Sequence, residues 1–157
     1  MGGTVVLKAP SIPSAPAIQA TGHNGGAVRV EATAGAIGGY DIDVSGRSLH
    51  GTGGKVCLTA PAISLGYGID ARGADHGGTI VMQATTGILG LTTADFDASG
   101  ATGGTFQATA SGDIHLDFAS IDVHRNGCIG LTGRNVFTAR GRFSDPIQPT
   151  CGVTCLP

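Results

Sequence analysis

Gly25-Gly26-Ala27-Val28-Arg29-Val30-Glu31-Ala32 and Gly53-Gly54-Lys55-Val56-Cys57-Leu58-Thr59-Ala60 are two copies of one phrase. A glycine pair opens each, and a stretch that alternates between apolar and polar side chains follows. The phrase recurs as Gly2-Gly3 before Thr4–Ala9, Gly77-Gly78 before Thr79–Ala84 and Gly103-Gly104 before Thr105–Ala110. A degenerate sixth copy runs from Cys128 to Gly133. The glycine pairs return roughly every 25 residues, a period that marks a repeat architecture. Alternation with a period of two is the signature of a half-buried strand. It assigns Val5/Leu7/Ala9, Val28/Val30/Ala32, Val56/Leu58/Ala60, Ile80/Met82/Ala84, Phe106/Ala108/Ala110 and Ile129/Leu131 to the interior. Cys57 falls on the outward set.

Two further elements complete each repeat. A second apolar point comes at Ile12, Ile37, Ile63, Ile88, Ile114 and Val136. A third short strand begins at Ile18, Ile42, Ile69, Phe96 and Ile121, with Phe137-Thr138-Ala139-Arg140-Gly141 as a weaker sixth copy. Three short strands per repeat, with no stretch of helical spacing, predict an all-β fold: a right-handed parallel β-helix of about six coils. Each coil lies on the next at the ~4.8 Å interstrand spacing, which places like residues in columns. Glycine at the corners is expected to supply positive φ. A β-sandwich is the competing fold, but it needs hairpin turns and no such columns. Residues 1–141 read as the repeats, and residues 142–157 as a short irregular C-terminal tail or cap with three prolines and two cysteines.

Composition narrows the function. Glycine is 28 of 157 residues, far above the usual share of about 7%, yet without the Gly-X-Y period of collagen. Only 13% of residues are charged and the net charge is −2, which leaves no basic patch for nucleic acid. No apolar run approaches the ~20 residues of a membrane span, so membrane insertion is not expected. No basic and apolar leader stands before the first repeat.

The repeat resembles, over most of residues 2–141, the β-helical shafts of filamentous-haemagglutinin-like adhesins and autotransporter passenger domains. Phrases such as Gly2-Gly3-Thr4-Val5-Val6-Leu7-Lys8-Ala9 and Ile69-Asp70-Ala71-Arg72-Gly73 carry the resemblance. It implies a secreted or surface-displayed protein with a structural or adhesive role. Its partners would be neighbouring shaft coils, further copies, a glycan or a host surface. Those shafts are usually poor in cysteine, whereas this chain has four.

The chemistry-bearing feature is an acidic column. Asp43, Asp70, Asp97 and Asp122 occupy one outward position of successive third strands, and Asp41 and Asp95 stand two residues earlier on the same face. Carboxylates stacked at ~4.8 Å repel, so a cation or a basic side chain is expected among them. Arg72, Arg140 and His124 are the basic candidates. Calcium, which takes carboxylate oxygens, is the cofactor such a ladder would admit. An acid pair for glycoside hydrolysis is a further reading. The plain reading is a row of aspartates bonding the backbone N–H groups of the turns they precede. The expectation is therefore a non-enzyme with no required cofactor. A carbohydrate-active β-helix enzyme, hydrolase or lyase, is the runner-up.

Cys128, Cys151 and Cys155 are the disulfide candidates, with the tail locked onto itself or onto Cys128; an intermolecular bond through Cys57 is a further option. His23, His50 and His76 precede glycine pairs at one coil corner and read as turn residues, with a loose stack of metal ligands as the alternative. Outward threonines (Thr4, Thr79, Thr105 and Thr59, Thr109) suggest an ice-binding face, but Lys55, Lys8 and Glu31 interrupt it. The N-terminal coil offers an assembly edge at Val5, Leu7 and Ala9, because a solenoid's first coil exposes unpaired strand and apolar core. Head-to-tail stacking on a second copy would cover it.

Overall fold

The computed structural model describes residues 2–14, 17–124 and 126–155. Six coils follow one another along the chain. The first has β1 (Thr4–Ala9) and β2 (Ile18–Gln19), and the second β3 (Ala27–Ala32), β4 (Ala36–Gly38) and β5 (Ile42–Asp43). The third has β6 (Lys55–Ala60), β7 (Ala62–Ser64) and β8 (Ile69–Asp70), and the fourth β9 (Thr79–Ala84), β10 (Leu89–Gly90) and β11 (Asp95–Asp97). The fifth has β12 (Thr105–Ala110), β13 (Ile114–His115) and β14 (Ser120–Asp122). The sixth has β15 (Cys128–Thr132), β16 (Val136–Phe137) and β17 (Arg142–Phe143), and β18 (Ile147–Gln148) follows it.

These strands form three parallel sheets that run the length of the molecule. The first is β1-β3-β6-β9-β12-β15-β18, the second β4-β7-β10-β13-β16 and the third β2-β5-β8-β11-β14-β17. The architecture is a parallel β-solenoid of about six turns, the geometry of β-helical repeat proteins. Register is kept from rung to rung. Val5 pairs Val28, Val28 pairs Val56, Val56 pairs Ile80, and Ile80 pairs Phe106. Alternation therefore builds one continuous apolar column per inward position, and the core fills the space between the sheets. Phe96 and Phe106, from different sheets, meet there with ring centroids 5.1 Å apart. Tyr40 is wholly buried in the same core, and its hydroxyl has no hydrogen-bond partner among the described residues. Burial without a partner pushes its pKa up.

The glycine pairs serve a different purpose from the one expected. Of the pair glycines only Gly103 has a positive φ. Most of the pair glycines are held to glycine by the backbone of neighbouring turns that lies against them; Gly3, in the first coil, is the exception. A Cβ on Gly25 would collide with the Val44 carbonyl oxygen and the Gly54 nitrogen, and one on Gly54 with the carbonyls of Gly26 and Val44. The same close approach lets the Gly54 N–H donate to the Val44 carbonyl at 2.9 Å, which closes the coil.

Three details of the coils depart from the sequence reading. In the fourth coil Leu89, not Ile88, pairs with Ile63 and Ile114 and is buried, while Ile88 is 51% exposed. The corner before it is longer than those of the third and fifth coils, and two adjacent apolar residues compete for one inward position. In the sixth coil the third strand is Arg142–Phe143, with Phe143 against Ile121; Phe137 belongs to the second sheet and pairs with His115. Residues 142–148 are likewise less irregular than a cap, because β17 and β18 extend two of the sheets.

Candidate functional site

The aspartate column forms on the outer face of the third sheet. Asp43 pairs with Asp70, Asp70 with Asp97, and Asp97 with Asp122. One geometry repeats down it: each Oδ1 accepts the backbone N–H two residues on. The donors are Ser45 at 2.9 Å, Arg72 at 3.0 Å, Ser99 at 2.9 Å and His124 at 2.8 Å. Each aspartate thus turns the chain out of its strand, as a side-chain-to-backbone turn does.

Basic groups relieve the repulsion at the upper rungs. Arg72 donates from Nε to Asp70 Oδ1 at 3.0 Å and from Nη2 to Asp70 Oδ2 at 2.6 Å, and its Nε lies 3.6 Å from Asp97 Oδ2. The hydrogen bonds to Asp70 raise the Arg72 pKa, and the charges of Asp97 and Asp43 add to the effect. Burial alone would raise Asp43, but the Ser45 hydroxyl at 2.6 Å, the Ser45 N–H and Arg47 outweigh it and hold its carboxyl below the ordinary aspartate value. Arg140 is elsewhere, over the Phe118 ring at 5.3 Å from its centroid. Asp41 and Asp95 join Asp70, Asp97 and Arg72 around an open groove of about 230 Å³. Among the described residues, no three His, Cys, Asp or Glu side chains are grouped to hold a metal ion.

The histidines do not stack. His76 pairs with Thr52 across the coils, and its Nδ1 lies 2.7 Å from Thr102 Oγ1. His50 Nδ1 lies 3.3 Å from Asp75 Oδ2. The column before the glycine pairs is instead Asn24, Thr52, His76 and Thr102. Its polar contacts include the Thr52 N–H donating to Asn24 Oδ1 at 3.2 Å.

The cysteines build the feature that the sequence reading missed. After β18 the chain doubles back across the outer face of the first sheet. Cys151 is bonded to Cys128 in the sixth coil, and Cys155 to Cys57 in the third; the Cα–Cα distances are 5.8 and 5.6 Å. The tail is therefore locked onto Cys128 but not onto itself, and Cys57 pairs within the chain rather than with another molecule. Where it begins, the strap is hydrogen-bonded to the sheet: the Cys151 N–H donates to Gln107 Oε1 at 2.6 Å, and the Thr150 hydroxyl to the same oxygen at 3.2 Å. Thr132 Oγ1 donates to the Pro149 carbonyl. Under the strap the outward residues Cys57, Val81 and Gln107 are buried. Gly130 sits in the same column, and a Cβ there would strike Gln107 Oε1 and approach the Cys151 nitrogen. A signal for this was present. Cys151 and Cys155 stand four residues apart, an extended reach of about 13–14 Å. Three rungs at ~4.8 Å cover the same distance, from the sixth coil to the third.

Among the described residues, each sheet ends on an outermost strand at either end of the solenoid. β1 is outermost at one, where Val5, Leu7 and Ala9 are half-buried. At the other, Val136, Phe137 and Ile147 are exposed, with Phe137 stacked on His115 at 4.7 Å. The described residues contain no helix long and apolar enough to cross a membrane. The two disulfides point to an oxidising environment. Protein-family models, curated proteins and solved structures contain no match to this chain.

Proposed function

We propose that this chain is a structural or adhesive solenoid of the extracellular space, a shaft segment or head-to-tail filament subunit that displays repeated polar faces. The filamentous-haemagglutinin-like and autotransporter shafts are the proteins it resembles in sequence. One observation supports the reading: the rungs stay in register from coil to coil, so the outer face of the third sheet carries a repeating aspartate ladder. The paired cysteines support a secreted or surface location, since such bonds persist in oxidising compartments. Electron microscopy and sedimentation over rising concentration test it. Rods that lengthen with concentration are the expected result. A monodisperse monomer with no fibres removes the filament, and a glycan array without binding removes the adhesive role.

The groove beside Asp41, Asp70, Asp95 and Asp97 carries the alternative, a carbohydrate-active enzyme. Sugar release from a polysaccharide panel that Asp97→Asn abolishes would replace the structural reading. Calcium is the cation that the ladder would take, and a rise in melting temperature on millimolar calcium titration would establish it.

A further inference from the structure

The strap changes the path by which force crosses the molecule. Cys155 lies beside the third coil, because it is bonded to Cys57 in β6. Whatever pulls on the chain after Cys155 therefore pulls on the middle of the solenoid rather than on its far end. The fourth, fifth and sixth coils hang beyond that point as an overhang. Cys128–Cys151 closes a second loop inside the first, since both of its cysteines lie between Cys57 and Cys155 in sequence.

We infer that, under tension between its two ends, the oxidised chain extends only through its first two coils and the start of the third. Residues 58–154 are bypassed by the Cys57–Cys155 bond and stay folded. Hydrogen bonds and apolar contacts are what holds the extending coils against the third coil, whereas the Cys57–Cys155 bond carries the load past residues 58–154 covalently. The coils that do extend are joined to each other by β1–β3 and β2–β5, and to the third coil by β3–β6, β4–β7 and β5–β8. None of these coils is cross-linked by either disulfide above Cys57.

Reduction lengthens the path. A dithiol supplies two electrons and two protons to each bridge and closes to its own cyclic disulfide, which leaves Cys57, Cys155, Cys128 and Cys151 as thiols. The inference rests on the shaft reading only in supposing that the chain is pulled in use. The connectivity can be measured on a single monomer whether or not filaments form, so failure of one leaves the other standing.

The experiment is single-molecule force extension of the full chain, with handles at both termini. At ~3.6 Å per residue the oxidised protein is expected to release about 200 Å of contour length. Cys155→Ser keeps Cys128–Cys151 and is expected to release about 480 Å. Wild-type protein folded oxidised and then reduced by dithiothreitol is expected to release about 560 Å, which keeps the test open if the variant does not fold. A release near 560 Å from the oxidised protein, or one unchanged by both the substitution and the dithiol, overturns the inference.

Discussion

At the scale of single residues, the fold depends on side chains that are absent. Gly54→Ala places a methyl group on two carbonyl oxygens of neighbouring backbone and is expected to cost about 1–3 kcal/mol or more. Gly3, the matching member of the first pair, has nothing within 4 Å of its Cβ position. Gly3→Ala is therefore expected to stay within about 0.5 kcal/mol of wild type, and denaturant titration compares the two. Tyr40 gives the opposite case. Its buried hydroxyl has no partner among the described residues, so Tyr40→Phe removes a desolvated polar group and is expected to stabilise by about 1 kcal/mol, read as a higher melting temperature. Asp43 links stability to acid. Its carboxyl is held below the ordinary value in the native state, so the stabilisation is full above the unfolded value near ~3.9 and is lost as pH falls through the lowered native value. Asp43→Asn is expected to flatten the acid limb of melting temperature against pH. An unchanged limb would show that this carboxylate is not linked to folding.

At the scale of elements, strands were legible and corners were not. The inward positions of the first sheet's strands recur every second residue, and every inward residue named from Val28 to Leu131 is buried; the outward residues Cys57, Val81 and Gln107 are buried as well, under the strap. Corners carry no such period, because their lengths differ between coils. Hence Ile88 was taken for Leu89. Leu89→Ala is expected to cost about 2–5 kcal/mol, against about 0.5 kcal/mol for Ile88→Ala; equal costs would contradict the register of β10. The sixth coil misled in another way. Thr138-Ala139-Arg140-Gly141 imitates Asp70-Ala71-Arg72-Gly73, but Thr138 stands where the aspartate that makes the turn should be. The ladder itself was legible as a column. Its work as a row of turn-makers was the plain reading of those residues, and the structure places an N–H on each Oδ1. The strap escaped notice because it depends on reach across rungs, a distance that exists only after the coils have stacked.

At the scale of the whole molecule, the strap ties the last coils to the third. The loop it closes has a sequence separation of 98 residues, and closing a loop of that size in the unfolded chain corresponds to about 4.7 kcal/mol of chain entropy. Repeat proteins gain and lose length by duplicating units, and here that freedom is unequal. Copies inserted ahead of the third coil leave the strap untouched. A copy inserted between the third and sixth coils asks four residues to cover about 19 Å instead of ~14 Å, beyond their extended reach. Duplicating residues 79–104 is expected to leave Cys57 and Cys155 as free thiols, whereas duplicating residues 27–54 is expected to leave both bridges formed; a thiol count on the folded proteins decides it. The tail therefore acts as a ruler on its own ancestry: it fixes the copy number of the rungs it crosses and leaves the chain free to lengthen only on the side of Cys57 that the strap does not reach.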